Sequence, residues 1–460
     1  MSHVVNIVND PLEAFCAWRT QVVRENSFEC TPIAFDESRE WHFENGYLRH
    51  RTGGWFFLAG LTSEARHPRL NAQQQLIIIQ RQIAINGFLA RPAAAGLELL
   101  FQGRVEPGNI GGMQLAPTVQ STVSNYKRLH GGKPTPFIDF FLEPDRQTVL
   151  FDCLQSEEAT RYLGKYNQNI VVRVSGGLPA PDGFRWYDLS AIRQFAVSSN
   201  VLNTDARSVL SCLDWTLLAG PAGPFSGHPQ GSFGAALKDS FNSRAHDADS
   251  SNTDVLSWLA RLRAHAGHHA QVVPIPQLKN WLVQRESIRE IDHCHGFEVR
   301  QFRVVATGRE VKSWDQPLIT STAAGRLALV FQKRGTVLQV LVKASYEIGF
   351  LEGVQLSASI SIPPGSAARD DDPVERVLID LIADGTRATL VDQCRQSEEG
   401  GRFYREENDY ELVWLDPSVV LPVTNDYRWL TLHQVRELIR IPGVFSIEFR
   451  GVLALLLTYL

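Results

Sequence analysis

Cys153-Leu154-Gln155-Ser156-Glu157-Glu158 returns later in the chain as Cys394-Arg395-Gln396-Ser397-Glu398-Glu399. The same offset of about 240 residues recurs at seven further landmarks, the mark of an internal duplication. Trp18 returns as Trp258, Pro32-Ile33 as Pro274-Ile275, and Trp41 as Trp281. Gln75-Leu76-Ile77 aligns with Gln316-Pro317-Leu318, and the alternating run 97–106 aligns with 338–347. Gly112-Met113-Gln114-Leu115 matches Gly353-Val354-Gln355-Leu356, and Phe184-Arg185-Trp186 matches Tyr427-Arg428-Trp429. Chance does not hold one offset through eight landmarks. The expectation is two α+β units with mixed sheets, 12–212 and 252–458. Each reads as a helix, several strands, a short helix opening at Ser-Glu-Glu, another strand and a terminal helix. The intervening 213–251, rich in Gly, Pro, Ser and Asp, reads as a surface connector.

The 460 residues carry a formal net charge of -5, which gives no reason to expect nucleic acid or an acidic membrane as partner. A phosphate-bearing ligand would need a local cluster of Arg and Lys. No apolar run is long enough to span a bilayer, and residues 1–15 lack the pattern of a signal peptide. Six cysteines stand without C-x-x-C pairs, which points to reduced thiols, a cytoplasmic protein and no structural zinc.

Polar chemistry concentrates in 104–133, RVEPGNIGGMQLAPTVQSTVSNYKRLHGGK. Leu97, Leu99, Phe101 and Val105 share one face of the preceding strand, and Gln102, Arg104 and Glu106 share the other. Pro107-Gly108-Asn109 breaks it and Gly111-Gly112 holds a turn. A second extended run puts Thr118, Gln120, Thr122 and Ser124 on one face. Asn125, Tyr126, Lys127, Arg128, His130 and Lys133 follow around a Gly-Gly pair. The stretch reads as the wall of a polar ligand site; the competing reading is a hairpin with its polar side in water.

The order E-P-G-N, Q-L-x-P-T-V-Q-x-T, S-N-Y, H-G-G resembles the NDP-hexose 2,3-dehydratase family, which acts on dTDP-4-keto-6-deoxyglucose in deoxysugar biosynthesis. The resemblance covers nearly the whole chain outside the connector. It implies two tandem Nudix-like repeats, a homodimer, and a downstream 3-ketoreductase that consumes a reactive diketone. Nudix hydrolysis itself needs G-x5-E-x7-R-E-x2-E-E, which no segment carries. With no G-x-G-x-x-G opening a helix, no P-loop and no metal-ligand spacing, the expectation is no metal and no cofactor.

The implied reaction removes the C3 hydrogen beside a C4 ketone and expels the C2 hydroxyl, so the site must supply a base, an acid and donors to the developing oxyanion. Glu106 and His130 are the candidate proton carriers, and Tyr126 and Lys127 the candidate donors. Glu106 can equally be the ion-pair partner of Arg104. Lys127, Arg128, Lys133 and Arg161 form a candidate diphosphate set, Arg being the better clamp because its fork takes two oxygens. Ser156 and Ser397 cap the expected helices or meet an anion, with Arg161 and Arg402 close behind. Trp41 stacks on a base or packs the core. Arg104, Asn109, Gln114, Thr118, Gln120, Ser121, Thr122, Asn125, Trp314 and Gln316 complete the candidate substrate contacts.

The second copy departs from this pattern. It has Glu347-Ile348-Gly349-Phe350 and Ser357-Ala358-Ser359-Ile360-Ser361, then Ile362-Pro363-Pro364-Gly365-Ser366 where the first copy carries S-N-Y and H-G-G. The expectation is an intact ligand motif in the first copy and a degenerate one in the second. Three functions compete: the lyase, a non-catalytic sugar-nucleotide-binding homologue, and a ketoisomerase or epimerase acting at the same carbon.

Overall fold

The computed structural model describes residues 10–26, 28–128, 133–244, 247–292, 295–307, 311–366 and 371–460. Of the candidate site residues, His130 lies outside them. The fold is mixed α+β, with four sheets among the described residues, and the same order of strands runs through both halves.

Each half opens on a helix whose start is written in its cap. Asp10 accepts from the Leu12 amide at 2.8 Å ahead of helix Pro11–Glu25, and Pro at the first position sacrifices no helical hydrogen bond. Ser251 and Asp254 form a capping box on helix Asn252–Ala266, which ends on Gly267 in the left-handed conformation. Trp18 and Trp258, the repeated tryptophans, are buried. Arg185 lies over the Trp18 ring at 4.5 Å and Arg428 over Trp258 at 4.9 Å, so the repeat holds at the level of single contacts.

The strand after each helix crosses to the other half. Phe28–Ile33 pairs antiparallel with Phe297–Ala306, and His269–Val273 pairs antiparallel with Phe57–Glu64. Each five-stranded sheet therefore holds one strand from the opposite copy. The two seven-stranded sheets stay within their halves. In the first, Val149–Ser156, Tyr166–Arg173, Ala84–Ala93, Gly96–Val105 and Phe184–Tyr187 lie in that order, with a parallel central pair. The second repeats it as Ala388–Ser397, Glu407–Leu415, Gly325–Arg334, Val337–Tyr346 and Tyr427–Leu430. Leu97, Leu99 and Phe101 point into one core that also takes Leu329, Phe331 and Phe449 from the second half.

Three expectations are corrected. Ser-Glu-Glu opens no helix: Ser156 and Ser397 end strands, and the residues after them make a turn whose Tyr162 and Phe403 bridge to Ile78 and Ile319. Pairing along the neighbouring strand satisfies those backbone groups and outweighs the capping preference. The stretch 213–251 is no surface connector. Its aromatics Trp215, Phe225, Phe233 and Phe241 are buried in the shared core, and apolar burial overrides the Gly/Pro/Ser composition. Thr118, Gln120, Thr122 and Ser124 do not share a strand face, because the strand here spans only Val119–Ser121 and helix Val123–Tyr126 starts just after it.

The seam between halves is built twice over. Gly108 donates its amide to the Gly400 carbonyl at 2.8 Å and accepts from the Arg405 amide at 3.0 Å; Gly349, its counterpart, donates to Ala159 and accepts from Gly164. A Cβ on Gly108 would sit 1.7 Å from the Phe403 carbonyl oxygen, and one on Gly349 would sit 2.1 Å from that of Tyr162. These positions admit glycine alone. Buried Arg207 donates to the Ser397 carbonyl at 2.6 Å, while buried Arg450 reaches the Ser156 carbonyl and the Ser208 hydroxyl. Gly108→Ala is expected to destabilise the protein by about 1–3 kcal/mol or more, since backbone cannot give way as a side chain does. Denaturant unfolding of the variant beside Gly176→Ala, where an added Cβ meets nothing within 4 Å and φ is not positive, checks this.

Candidate active site

Arg104 and Glu106 stand where strand Gly96–Val105 ends, and Arg104 Nε donates to Glu106 Oε1 at 2.8 Å. The ion-pair reading of Glu106 therefore holds, without removing its carboxylate from chemistry. Arg104 Nη1 also reaches the Gln120 carbonyl at 3.3 Å, and Gln120 Oε1 accepts from Asn203 at 2.8 Å. Asn203 in turn caps helix Thr204–Cys212, whose first turn presents Asp205 to Asn86 at 2.5 Å. Beyond them Lys165 donates to Asn167 at 2.6 Å, and Asn167 donates to Glu157 at 2.6 Å.

The second half closes this cluster. Glu399 accepts a hydrogen bond from the Tyr162 hydroxyl at 3.1 Å, and its charge is felt by Arg104, Glu157, Lys165 and Asp205. Arg402 lies over the Phe56 ring at 4.2 Å and donates to Gln80 at 3.3 Å. Trp314 donates to Gln316 at 2.7 Å, and Gln316 holds the Gly401 carbonyl at 3.1 Å, which positions the loop carrying Glu399.

Crowding and burial displace the titrations. Burial, with Glu399 adding to it, pushes the Glu157 carboxyl up to about 7. Burial brings Lys165 down to about 8 against the pull of Glu157. Asp205 is raised well above its ordinary value by burial and by Glu157 and Glu399. Groups displaced toward neutrality can both hold and release protons there.

The other half has a counterpart cluster with a different charge balance. Ser345 stands where Arg104 does and donates to Glu347 at 3.0 Å. Glu406 takes the place of Lys165, Glu448 that of Asp205, and Phe403 that of Tyr162. Among the described residues, three cations (Arg104, Lys165, Arg402) serve the first cluster. Glu158, Glu347, Glu398, Glu406 and Glu448 gather around Arg161 in the second.

Several candidates are placed elsewhere. Arg161 and Ser156 belong to the second cluster, with Arg161 over Phe297 at 4.0 Å and Ser156 donating to Gln355 at 2.7 Å; Arg161 is therefore removed from the diphosphate set. The exchange of turns across the seam, invisible in a linear reading, is the cause. Gln114 is fully buried and donates to Ser397 at 2.5 Å, the mirror of that second bond, so both act at the seam. Thr118 accepts from the Leu89 amide at 3.0 Å and donates to the Leu100 carbonyl, a strut within the sheet. Asn109 donates to the Arg104 carbonyl at 3.0 Å and locks the turn. Trp41 is core: its indole donates to the Asp315 carbonyl at 2.8 Å and its ring meets Phe56 at 4.8 Å.

Ser121 lies 3.4 Å from the Thr135 hydroxyl, and Thr122 precedes helix Val123–Tyr126 without a side-chain cap bond. Ser124 binds both Gln82 and the Gly54 carbonyl, and Gln82 offers its own carbonyl to Lys165. That chain ties the Asn125–Arg128 loop to the cluster. Asn125, Lys127, Arg128 and Lys133 are exposed, and Tyr126 is half-buried. Asn86, Glu157, Lys165, Asp205 and Glu399 were not singled out. Asn86 had a signal, a lone polar group in the apolar run 84–90, whereas Asp205 stands among other polar residues of its helix.

The raised carboxyls set a pH dependence. Glu157, Glu406 and Glu448, all lifted chiefly by burial, keep a proton to about 7, whereas an unfolded chain releases it near 4.5. The folded form binds more protons in that window, so this stabilisation is complete below the lower value and lost as pH passes the higher one. The thermal midpoint is expected to fall between about pH 5 and pH 8, with a shallower slope in Glu406→Gln. Scanning calorimetry across that range is the check.

Comparison with known proteins places this architecture. The model of the NDP-hexose 2,3-dehydratase family matches residues 12–213 and 252–456. A dTDP-4-dehydro-6-deoxy-alpha-D-glucopyranose 2,3-dehydratase of Saccharopolyspora spinosa is 32% identical over 454 residues, covering 96% of this chain and 91% of that protein. Enzymes of the same name from Streptomyces violaceoruber and Amycolatopsis orientalis are 31% and 30% identical, covering 96% and 95% of this chain and 96% and 88% of theirs. The chain belongs to the NDP-hexose 2,3-dehydratase family.

Proposed function

We propose that the chain is a sugar-nucleotide lyase that eliminates water across C2 and C3 of dTDP-4-keto-6-deoxyglucose, giving a 3,4-diketo-2,6-dideoxy sugar nucleotide. The observation that carries the reading is the family match over both halves, joined to a cluster that brings a carboxylate, cations and displaced titrations together. Glu106 is a proton carrier of the reaction. Tyr126 and Lys127 serve as donors from the loop that Ser124 anchors, and Lys127, Arg128 and Lys133 face the diphosphate as cations exposed to solvent.

The chemistry asks for little more. The ketone acidifies the C3 hydrogen, a base takes it, and the C4 oxygen gathers charge that donors must meet. The C2 hydroxyl then leaves with a proton, and the resulting enol becomes the C3 ketone. Each half takes a Nudix-like fold, and the enzyme works as a cytoplasmic homodimer that hands its reactive diketone to a 3-ketoreductase. The free thiols of Cys16, Cys30, Cys153, Cys212 and Cys394 agree with a reducing compartment.

Purified protein incubated with dTDP-4-keto-6-deoxyglucose is expected to lower the substrate mass by one water. A product of unchanged mass would mean an isomerase, and binding without turnover a scaffold. Glu106→Gln should slow water loss at least about a hundredfold. Glu347→Gln, its counterpart beside Ser345, should do far less, with equal thermal midpoints confirming that both variants fold.

A further inference from the structure

The seam leaves one carboxyl of the second half beside the first half's ion pair. Oε1 of Glu399 and Oε1 of Glu106 border the same small space: a Cβ built on Gly401 would lie 2.8 Å from the first and 3.3 Å from the second. Gly401 thus leaves open a gap that any side chain would fill. The two carboxyls hold different partners. Glu106 takes the Arg104 guanidinium on Oε1, so Oε2 has no hydrogen-bond partner among the described residues. Glu399 takes the Tyr162 hydroxyl on Oε2, which leaves Oε1, the oxygen toward the gap, to carry a proton.

We propose that Glu399 is the general acid that protonates the departing C2 hydroxyl, with Glu106 as the base, so that each half supplies one member of a catalytic pair. The proposal rests on the dehydration described above and adds a residue to it. Like charges at such close quarters do not both ionise readily, and the one paired with a cation keeps the charge. Burial, with Glu106 beside it, raises the Glu399 carboxyl, although Arg402 opposes this.

The proton count closes over the cycle. Glu106 carboxylate removes the C3 proton, and the C–H electron pair forms the C3–C4 double bond of the enolate. The enolate collapses to restore the C4 ketone and form the C2–C3 double bond. The C2–O bond breaks as Glu399 delivers its proton, and water leaves. Glu106 is now protonated and Glu399 ionised. Glu399 then takes the proton of the C3 enol hydroxyl while Glu106 protonates C2, which yields the C3 ketone and returns both groups to their starting states. No oxidant, reductant or metal enters the balance.

The second cluster shows the pair with its distinguishing partners removed. Glu158 and Glu347 occupy the counterpart positions, yet Ser345 replaces the cation beside the base and Phe403 the phenol beside the acid. Glu158 instead accepts from Thr160 at 2.6 Å.

The test separates base from acid. Wild type, Glu399→Gln, Glu106→Gln and, as control, Glu158→Gln are incubated with dTDP-4-keto-6-deoxyglucose in D₂O. Loss of water is read by mass and deuterium entry at C3 by proton NMR. Glu399→Gln should lose water at least about a hundredfold more slowly and still exchange the C3 hydrogen, whereas Glu106→Gln should lose both activities and Glu158→Gln neither. Retained substrate affinity by calorimetry shows that Glu399→Gln is folded; should that variant fail to fold, Glu399→Asp and Tyr162→Phe carry the same comparison. Water loss at the wild-type rate in Glu399→Gln overturns the pair alone, and loss of exchange in Glu399→Gln with exchange kept in Glu106→Gln overturns the roles. A wild type that releases no water overturns the dehydration itself, and the pair with it.

Discussion

Strand Phe28–Ile33 lies in its own sequence half but in the other half's sheet, and His269–Val273 returns the exchange. An unpaired strand edge in either half would expose a row of amides and carbonyls, so each copy needs the other to finish its sheet. The same reciprocity governs the seam. Gly108 and Gly349 let backbone approach backbone, and Arg207 and Arg450 each satisfy carbonyls at the far side. Removing either arginine would strand buried carbonyls, at about 1–3 kcal/mol for each. One apolar core takes side chains from both copies.

This exchange decides where chemistry can gather. The turn after each Ser-Glu-Glu crosses the seam, so Glu399 and Arg402 serve the cluster built on the first sheet while Glu158 and Arg161 serve the second. Symmetry of backbone does not carry over to charge. With Lys165 exchanged for Glu406 and Arg104 for Ser345, the second cluster gathers carboxyls around Arg161, and burial holds several of them neutral up to about 7. An anionic ligand would meet cations in the first cluster and carboxyls in the second.

Much of the fold was legible because its signals are local and doubled. The alternation of Leu97, Leu99 and Phe101 and the repeated Trp18 and Trp258 each fix an element wherever the chain goes. What escaped depended on contacts far apart in sequence. Gln114 looked like a ligand contact in a polar run, but its partner Ser397 lies in the other copy. Asp372 stands in a run of three aspartates, yet it is buried, caps helix Pro373–Asp384 and pairs with buried Lys343 at 2.9 Å. Composition also misled at 213–251, where Trp215 and Phe233 outweigh the glycines and prolines around them.

The site was half legible for the same reason. The motif string named Arg104 and Glu106 correctly as neighbours on one face, because two residues apart on a strand is a local relation. The Ser-Glu-Glu repeat was visible too, but its reading as a helix cap hid which oxygen atoms it delivers and to which half. A cap would have spent those carboxyls on its own amides. A strand end followed by a turn gives them side-chain partners instead, and the crossing of that turn turns a repeated structural motif into two unequal groups: Glu399 beside an arginine-paired carboxylate, and Glu158 beside a carboxylate that accepts from Ser345. On a shared strand order, exchanges such as Arg104 for Ser345 and Lys165 for Glu406 give the two copies different electrostatic roles.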